Sequence, residues 1–267
     1  MSELERIESN PDDLQYLDNV LGDVHTSKQT RLGLIKHAMV GAAAVGVFGP
    51  ASSALAAAGA SSGDSIDTVV TTAVTAEALA VTVLTAAVKT SPGTKAAPFI
   101  PVLKSANYTE FRHYQVLGSL GAKPLTTKFW IPNAALGAGN INLFKTIEAA
   151  ETLFVNAYLI GITTFAKAKK DSLARYAGEI LGTEAEHRVL ARYAETVING
   201  LKHVPNNLGF ELYKFKSMAA IVGELEKAGF GFGKQGASPG AFYDFPGNPL
   251  KNGTGSGVLA PAPASPA

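Results

Sequence analysis

The chain has no cysteine, and that one absence removes disulfide bonds, thiol nucleophiles and thiolate metal ligands together. Any metal held here must take its ligands from Asp, Glu, His or backbone oxygen, a harder set that suits iron or manganese as well as zinc. An excess of charge of one sign is also missing. The 23 Lys and Arg stand against 22 Asp and Glu, for a formal net of +1, and the basic residues are scattered without interleaved aromatics. That excludes the electrostatic footprint of a nucleic-acid binder. What remains is a chain of 267 residues, 46% hydrophobic and 17% charged, with ample material for one or two soluble domains with a full core.

Near the N-terminus, Lys28, Arg31 and Lys36 precede the apolar run Ala38 to Gly49, "AMVGAAAVGVFG", followed by Pro50 and "ASSALAAAGA". Basic, apolar and Ala-x-Ala elements in that order are the layout of an export signal, which predicts a periplasmic or cell-envelope protein cleaved near Ala57. The apolar run is too short to span a bilayer securely, so membrane contact is expected only through this segment while it is uncleaved. Against the export reading, about thirty residues with many acids precede the basic stretch, longer than a usual leader. Arg31 also stands alone where a twin-arginine signal needs two. The alternative is an Ala-rich helix that packs on the domain or mediates a homo-oligomer in the cytoplasm.

Along the rest of the chain the spacing predicts helices. "SIDTVVTTAVTAEALAVTVLTAAVK" (65–89) has helix length and a capping Asp64 or Ser65, although its Val and Thr content suits a strand equally well. A second helix is expected over 102–120, a third from Ile141 to Lys169, a fourth from Asp171 to Asn199, and a shorter one over 211–228 closed by Gly229. Between the second and third lies "AKPLTTKFWIPNAALGAGN", without helical periodicity. This divides the chain into an N-terminal region (1–62), a helical unit (63–200), an additional helix with loops (201–250) and a tail expected to be disordered (251–267).

Two helices share a pattern. "TEFRHYQVL" from Thr109 is matched by "TEAEHRVL" from Thr183, each carrying Glu-x-x-His. Positions i and i+3 share a helix face, so each pair aims a carboxylate and an imidazole at one point. Glu184 minus Glu110 is 74, His187 minus His113 is 74, and Glu151 minus Glu77 is 74, with "AEALAV" at 76–81 against "AETLFV" at 150–155. Each half is thus a helix with a lone Glu, followed by a helix with Thr-Glu-x-x-His. Four helices supplying Glu, Glu-x-x-His, Glu and Glu-x-x-His are the ligand set of a di-iron or di-manganese carboxylate bundle. The long 121–140 segment is what a crossover down such a bundle needs, since about twenty residues at roughly 3.3 Å each exceed a helix of about 30 Å.

With these residues the chain resembles the ferritin-like superfamily, and within it the bacterial ferritin-like-domain proteins related to plant desiccation-related proteins. The resemblance covers about residues 65–200. It rests on Glu77, Glu110-Phe111-Arg112-His113, Glu151 with Tyr158 farther along the same helix, and Glu184-Ala185-Glu186-His187, with the "AETLFVNAY" and "GTEAEH" wording. It implies an all-α fold: a ferritin-like four-helix bundle with a long crossover between helices 2 and 3, an N-terminal helical segment and an irregular C-terminal end. It also implies two divalent ions, iron foremost or manganese, with Glu110 and Glu184 bridging, Glu77 and His113 completing one ion, and Glu151 and His187 the other. The expected partners are metal ions and a small oxidant, and the expected role is Fe(II) oxidation or peroxide consumption in stress protection. Manganese-catalase-like chemistry and a metal-stapled, non-enzymatic protein share the same ligands.

Single residues also have plainer readings. A lone Glu such as Glu77 or Glu151 in an Ala-rich helix is usually solvated, and each Glu-x-x-His taken alone is common on surfaces. Glu148, one turn before Glu151, has Val74 as its partner by the offset. Glu186 lies on a different face from Glu184 and is expected to be exposed. His25, His37 and His203 fall outside the repeat. Tyr158, whose counterpart is Leu84, is either a hydrogen-bond donor to the site or core.

Overall fold

A computed structural model describes residues 63–136, 141–199 and 210–257. The export layout at 28–60, His25, His37, His203, residues 137–140 of the crossover and the tail beyond Gly257 lie outside the described residues. The described chain is mostly helical. Its four long helices are α1 (Ile66–Thr90), α2 (Ile100–Ser119), α3 (Ile141–Lys167) and α4 (Asp171–Asn199). Packing contacts join α1 to α2, α3 to α4, α1 to α3 and α2 to α4.

The Val and Thr residues of α1 do not turn it into a strand, and the hydroxyls show why. Thr75 and Thr82 donate to the carbonyls of Thr71 and Ala78, 2.7 and 2.6 Å away, so each is satisfied within its own helix. Ser65 caps the start, its hydroxyl accepting the Thr68 N–H at 3.0 Å. By length and composition α1 and α3 could each cross a membrane. In α1, however, nearly every residue from Val69 to Val88 is buried against other parts of the protein, as befits a helix at the centre of a core.

Strands occur where the sequence reading has none. β1 (Lys128–Pro132) lies in the crossover and takes the centre of a small antiparallel sheet, with β2 (Gly231–Phe232) on one side and β3 (Gly240–Asp244) on the other. Trp130 pairs with Gly231 across one ladder and Phe242 across the other. Phe129 and Ile131 alternate inward and are fully buried with Phe154, Leu79, Val222 and Phe232. The glycines of this end permit close backbone approach: a Cβ at Gly236 would overlap the Gly229 carbonyl oxygen, and one at Gly231 the Lys234 carbonyl oxygen.

The last helix, α5 (Met218–Lys227), is shorter than the expected 211–228. Ser217 caps it, and Gly229 at φ +98° ends it. The irregular residues just before Ser217 are held by side chains: Glu211 pairs with Arg188, and the Lys214 N–H donates to Asn156 Oδ1 at 2.9 Å. Residues 251–257 are also anchored. Asn107 Nδ2 donates to Thr254 and Thr85, and the Ser256 N–H donates to the Lys104 carbonyl.

Candidate metal centre

The six residues on the 74-residue offset meet in the interior. Glu77 comes from α1, Glu110 and His113 from α2, Glu151 from α3, and Glu184 and His187 from α4. All are buried, with Glu110 and Glu184 at 0% exposure. Both histidines turn Nδ1 toward the carboxylates. Glu110 sends one oxygen to each histidine, 3.2 Å from His113 Nδ1 and 2.6 Å from His187 Nδ1. Glu184 does the same, at 3.2 and 3.5 Å. Glu77 approaches only His113, at 3.7 Å, and Glu151 only His187, at 3.8 Å. The outcome is two overlapping groups, Glu77-Glu110-His113-Glu184 and Glu110-Glu151-Glu184-His187, each with ligand atoms within 4.8 Å of one another.

A cation fits this arrangement better than a hydrogen-bond network does. Glu77 Oε2, Glu110 Oε1, Glu151 Oε2, both Glu184 oxygens and His187 Nδ1 are buried and have no hydrogen-bond partner. The 2.6 Å approach of His187 Nδ1 to Glu110 Oε1 is close without being aligned as a hydrogen bond. Buried acceptors without donors are costly, and buried carboxylates more so. Lone pairs from four carboxylates and two imidazoles converging on one volume form a donor set of oxygen and nitrogen that can hold a metal ion.

Without metal the cluster is electrostatically strained, and the strain falls unevenly. Burial, then the charges of Glu184 and Glu110, pushes Glu77 and Glu151 well above the usual carboxylate range. Burial acts to raise Glu110 too, but His187 and His113 outweigh it and hold Glu110 below that range. For the histidines burial favours the neutral ring, yet the carboxylates prevail. Glu110 pushes His187 up to about 10, and Glu184 and Glu110 raise His113 well above its ordinary value.

Around the cluster, Tyr158 reaches from α3 to donate its hydroxyl to Glu77 Oε1, so it is a donor to the site as well as a core residue. Glu148, the rival to Glu151, points elsewhere and pairs with Arg192. Glu186 is exposed. The sequence reading has no role for the arginines of α4. Arg188, beside His187, is 1% exposed and grips Glu211 with both terminal nitrogens. Farther along, buried Glu195 is raised to about 8 by burial and then by Glu148. The available signal was the spacing 184, 188, 192, 195, which keeps these side chains on one face of α4. Charged residues on a helix are ordinarily read as its solvated side.

No protein-family model matches this chain, and neither a curated protein nor a solved structure is similar to it by comparison.

Proposed function

We propose that the protein is a ferritin-like four-helix carboxylate protein that holds two iron ions and oxidises Fe(II) or consumes peroxide, in a stress-protective role. The observation that carries the reading is the sharing of oxygens. Glu110 and Glu184 each divide their two oxygens between the two histidines, while Glu77 and Glu151 each serve one. That pattern supports Glu110 and Glu184 as bridging ligands between two sites, with Glu77 and His113 completing one and Glu151 and His187 the other.

Iron bound there supplies one-electron redox chemistry toward a small oxidant. The chain's own residues determine the setting. The charges of four carboxylates equal those of two divalent cations when the histidines are neutral, so the loaded cluster is neutral and its burial tolerable. Tyr158 orients Glu77 by its hydrogen bond, and the apolar residues of α1 and α3 exclude bulk water. A manganese-containing, catalase-like enzyme would use the same ligands.

The depth of the cluster, whose six residues are at most 7% exposed, favours a second reading in which the metals staple the helices and perform no turnover. Elemental analysis of protein purified without added metal, followed by Fe(II) loading, separates these. The proposal expects about two transition-metal ions per chain and Fe(II) oxidation or peroxide decay above buffer. Two ions with neither activity would leave the staple, and no binding of Fe(II) or Mn(II) would remove both.

A further inference from the structure

The described stretch before α5 has its polarity turned inside out. Residues 210–216 form no regular secondary structure, yet they are tied down at three points. Glu211 pairs with both terminal nitrogens of buried Arg188, the Lys214 N–H donates to Asn156 Oδ1, and Phe215 packs against the core that holds Tyr158 and Met218. The acid of the stretch is thus turned inward. Its apolar side chains go the other way: Phe210, Leu212 and Tyr213 stand in solvent, 85%, 51% and 45% exposed. Because the backbone is already anchored, little ordering is left to be done when this surface binds.

Charge and area indicate what covers it. With Glu211 neutralised by Arg188, the stretch presents Lys214 and Lys216, both exposed. Neither side chain forms an ion pair among the described residues. An aromatic side chain offers about 150–250 Å², so Phe210, Tyr213 and Leu212 at these exposures leave roughly 350 Å² open. That is under half of the about 800 Å² that each side of a standard protein interface buries, and lysine is depleted from such interfaces. A lipid surface asks for less area and favours this composition. Rings with a polar tip sit at headgroup level, apolar side chains reach below it, and lysines snorkel toward acidic headgroups. The irregular backbone stays at headgroup depth, where water satisfies its N–H and C=O groups.

We propose that residues 210–216 are a docking surface for an anionic lipid membrane, with Phe210, Leu212 and Tyr213 entering the boundary between headgroups and acyl chains and Lys214 and Lys216 facing the acidic headgroups. Nothing in this docking requires the metal centre.

The full chain is sedimented with vesicles of phosphatidylcholine and phosphatidylserine and, separately, with vesicles of phosphatidylcholine alone. Wild type should bind the anionic vesicles several-fold better than the neutral ones, and added salt should weaken that binding. Phe210→Ser combined with Tyr213→Ser should cut binding at least several-fold, and Lys214→Glu combined with Lys216→Glu should remove the preference for anionic lipid. Leu250→Ser, which changes an exposed leucine elsewhere, should bind as wild type does. All four side chains changed in the double variants are exposed, so their melting temperatures and metal content should match wild type, and this test and the metal test fail separately. Tyr213→Trp gives a second reading, since its added fluorescence should shift to the blue on anionic vesicles. Wild type that ignores anionic vesicles would overturn the docking surface, as would vesicle binding without that shift. Binding retained by both double variants would also overturn it, by moving the membrane contact to another part of the chain such as the apolar run at 38–49. Wild type that ignores vesicles and sediments as a dimer, dissociated by Phe210→Ser with Tyr213→Ser, would replace the membrane with a second copy of the chain.

Discussion

Loading the metal-free protein with two divalent ions should expel protons, at most about four per chain. The number follows from which groups hold protons in the empty cluster. Glu77 and Glu151, raised by burial and by the neighbouring carboxylates, are biased toward the neutral acid. His113 and His187, raised by Glu184 and Glu110, are biased toward the imidazolium ion. A metal ion needs the carboxylate and the neutral ring, so each half-site has up to one carboxyl proton and one imidazolium proton to give up. Two protons leaving with each ion make each binding constant climb by up to about a hundredfold per pH unit. Calorimetric titration with Fe(II) under anaerobic conditions, or with Mn(II), in two buffers of different ionisation enthalpy reads the proton count directly. Binding that releases fewer than about one proton per ion, or whose affinity is flat between about pH 6 and pH 8, would refute the assignment of protons and with it the coupling among the six residues.

Three other outcomes are expected. Metal-free protein should lose stability as pH rises: the folded His187 pKa of about 10 lies above its unfolded value near 6.5, so its contribution is full below about 6.5 and gone by about 10, and raised Glu77 and Glu151 act in the same direction. Thermal melts across that window should fall for the metal-free form and not for the loaded form; a rising metal-free curve contradicts this. In an alanine scan, Glu110→Ala and Glu184→Ala should lose both ions, Glu77→Ala and Glu151→Ala mainly one, and Glu148→Ala and Glu186→Ala neither, with metal content as the readout. Metal lost in Glu148→Ala and kept in Glu151→Ala would show that the wrong turn of α3 has been assigned. Finally, Lys169 at φ +57° is a non-glycine residue in left-handed backbone at the end of α3, so Lys169→Gly should stabilise by about 1 kcal/mol, measured by denaturant midpoint.

The parts of this protein that were legible in its sequence are those whose information is local or repeated. The spans of α1 to α4 follow from uninterrupted helix-length segments and from Ser65 and Asp171 at their starts, because a helix is stabilised by residues three and four apart. The meeting of Glu77, Glu110, His113, Glu151, Glu184 and His187 was legible because the same 74-residue spacing relates three pairs of them, and one subtraction exposes it. The Phe129–Ile131 alternation was present as a strand signal, but a five-residue run ending on a proline carries little weight until its partners are known. Those partners, β2 and β3, lie about a hundred residues away and contribute few residues, so only the folded chain pairs them.

Tertiary structure alone decided the rest. Nothing local to Arg188 distinguishes a buried residue from a solvated one; Glu211, twenty-three residues later, makes the difference. Nothing in Tyr158 says that its hydroxyl reaches Glu77 on another helix. The sequence by itself determined the helices and the residues that converge between them, because both are written in short-range periodicity and a repeat. The pairing of distant segments, the protonation of the cluster and the space around it came only from the fold, because each depends on distances between groups that the chain order leaves unspecified.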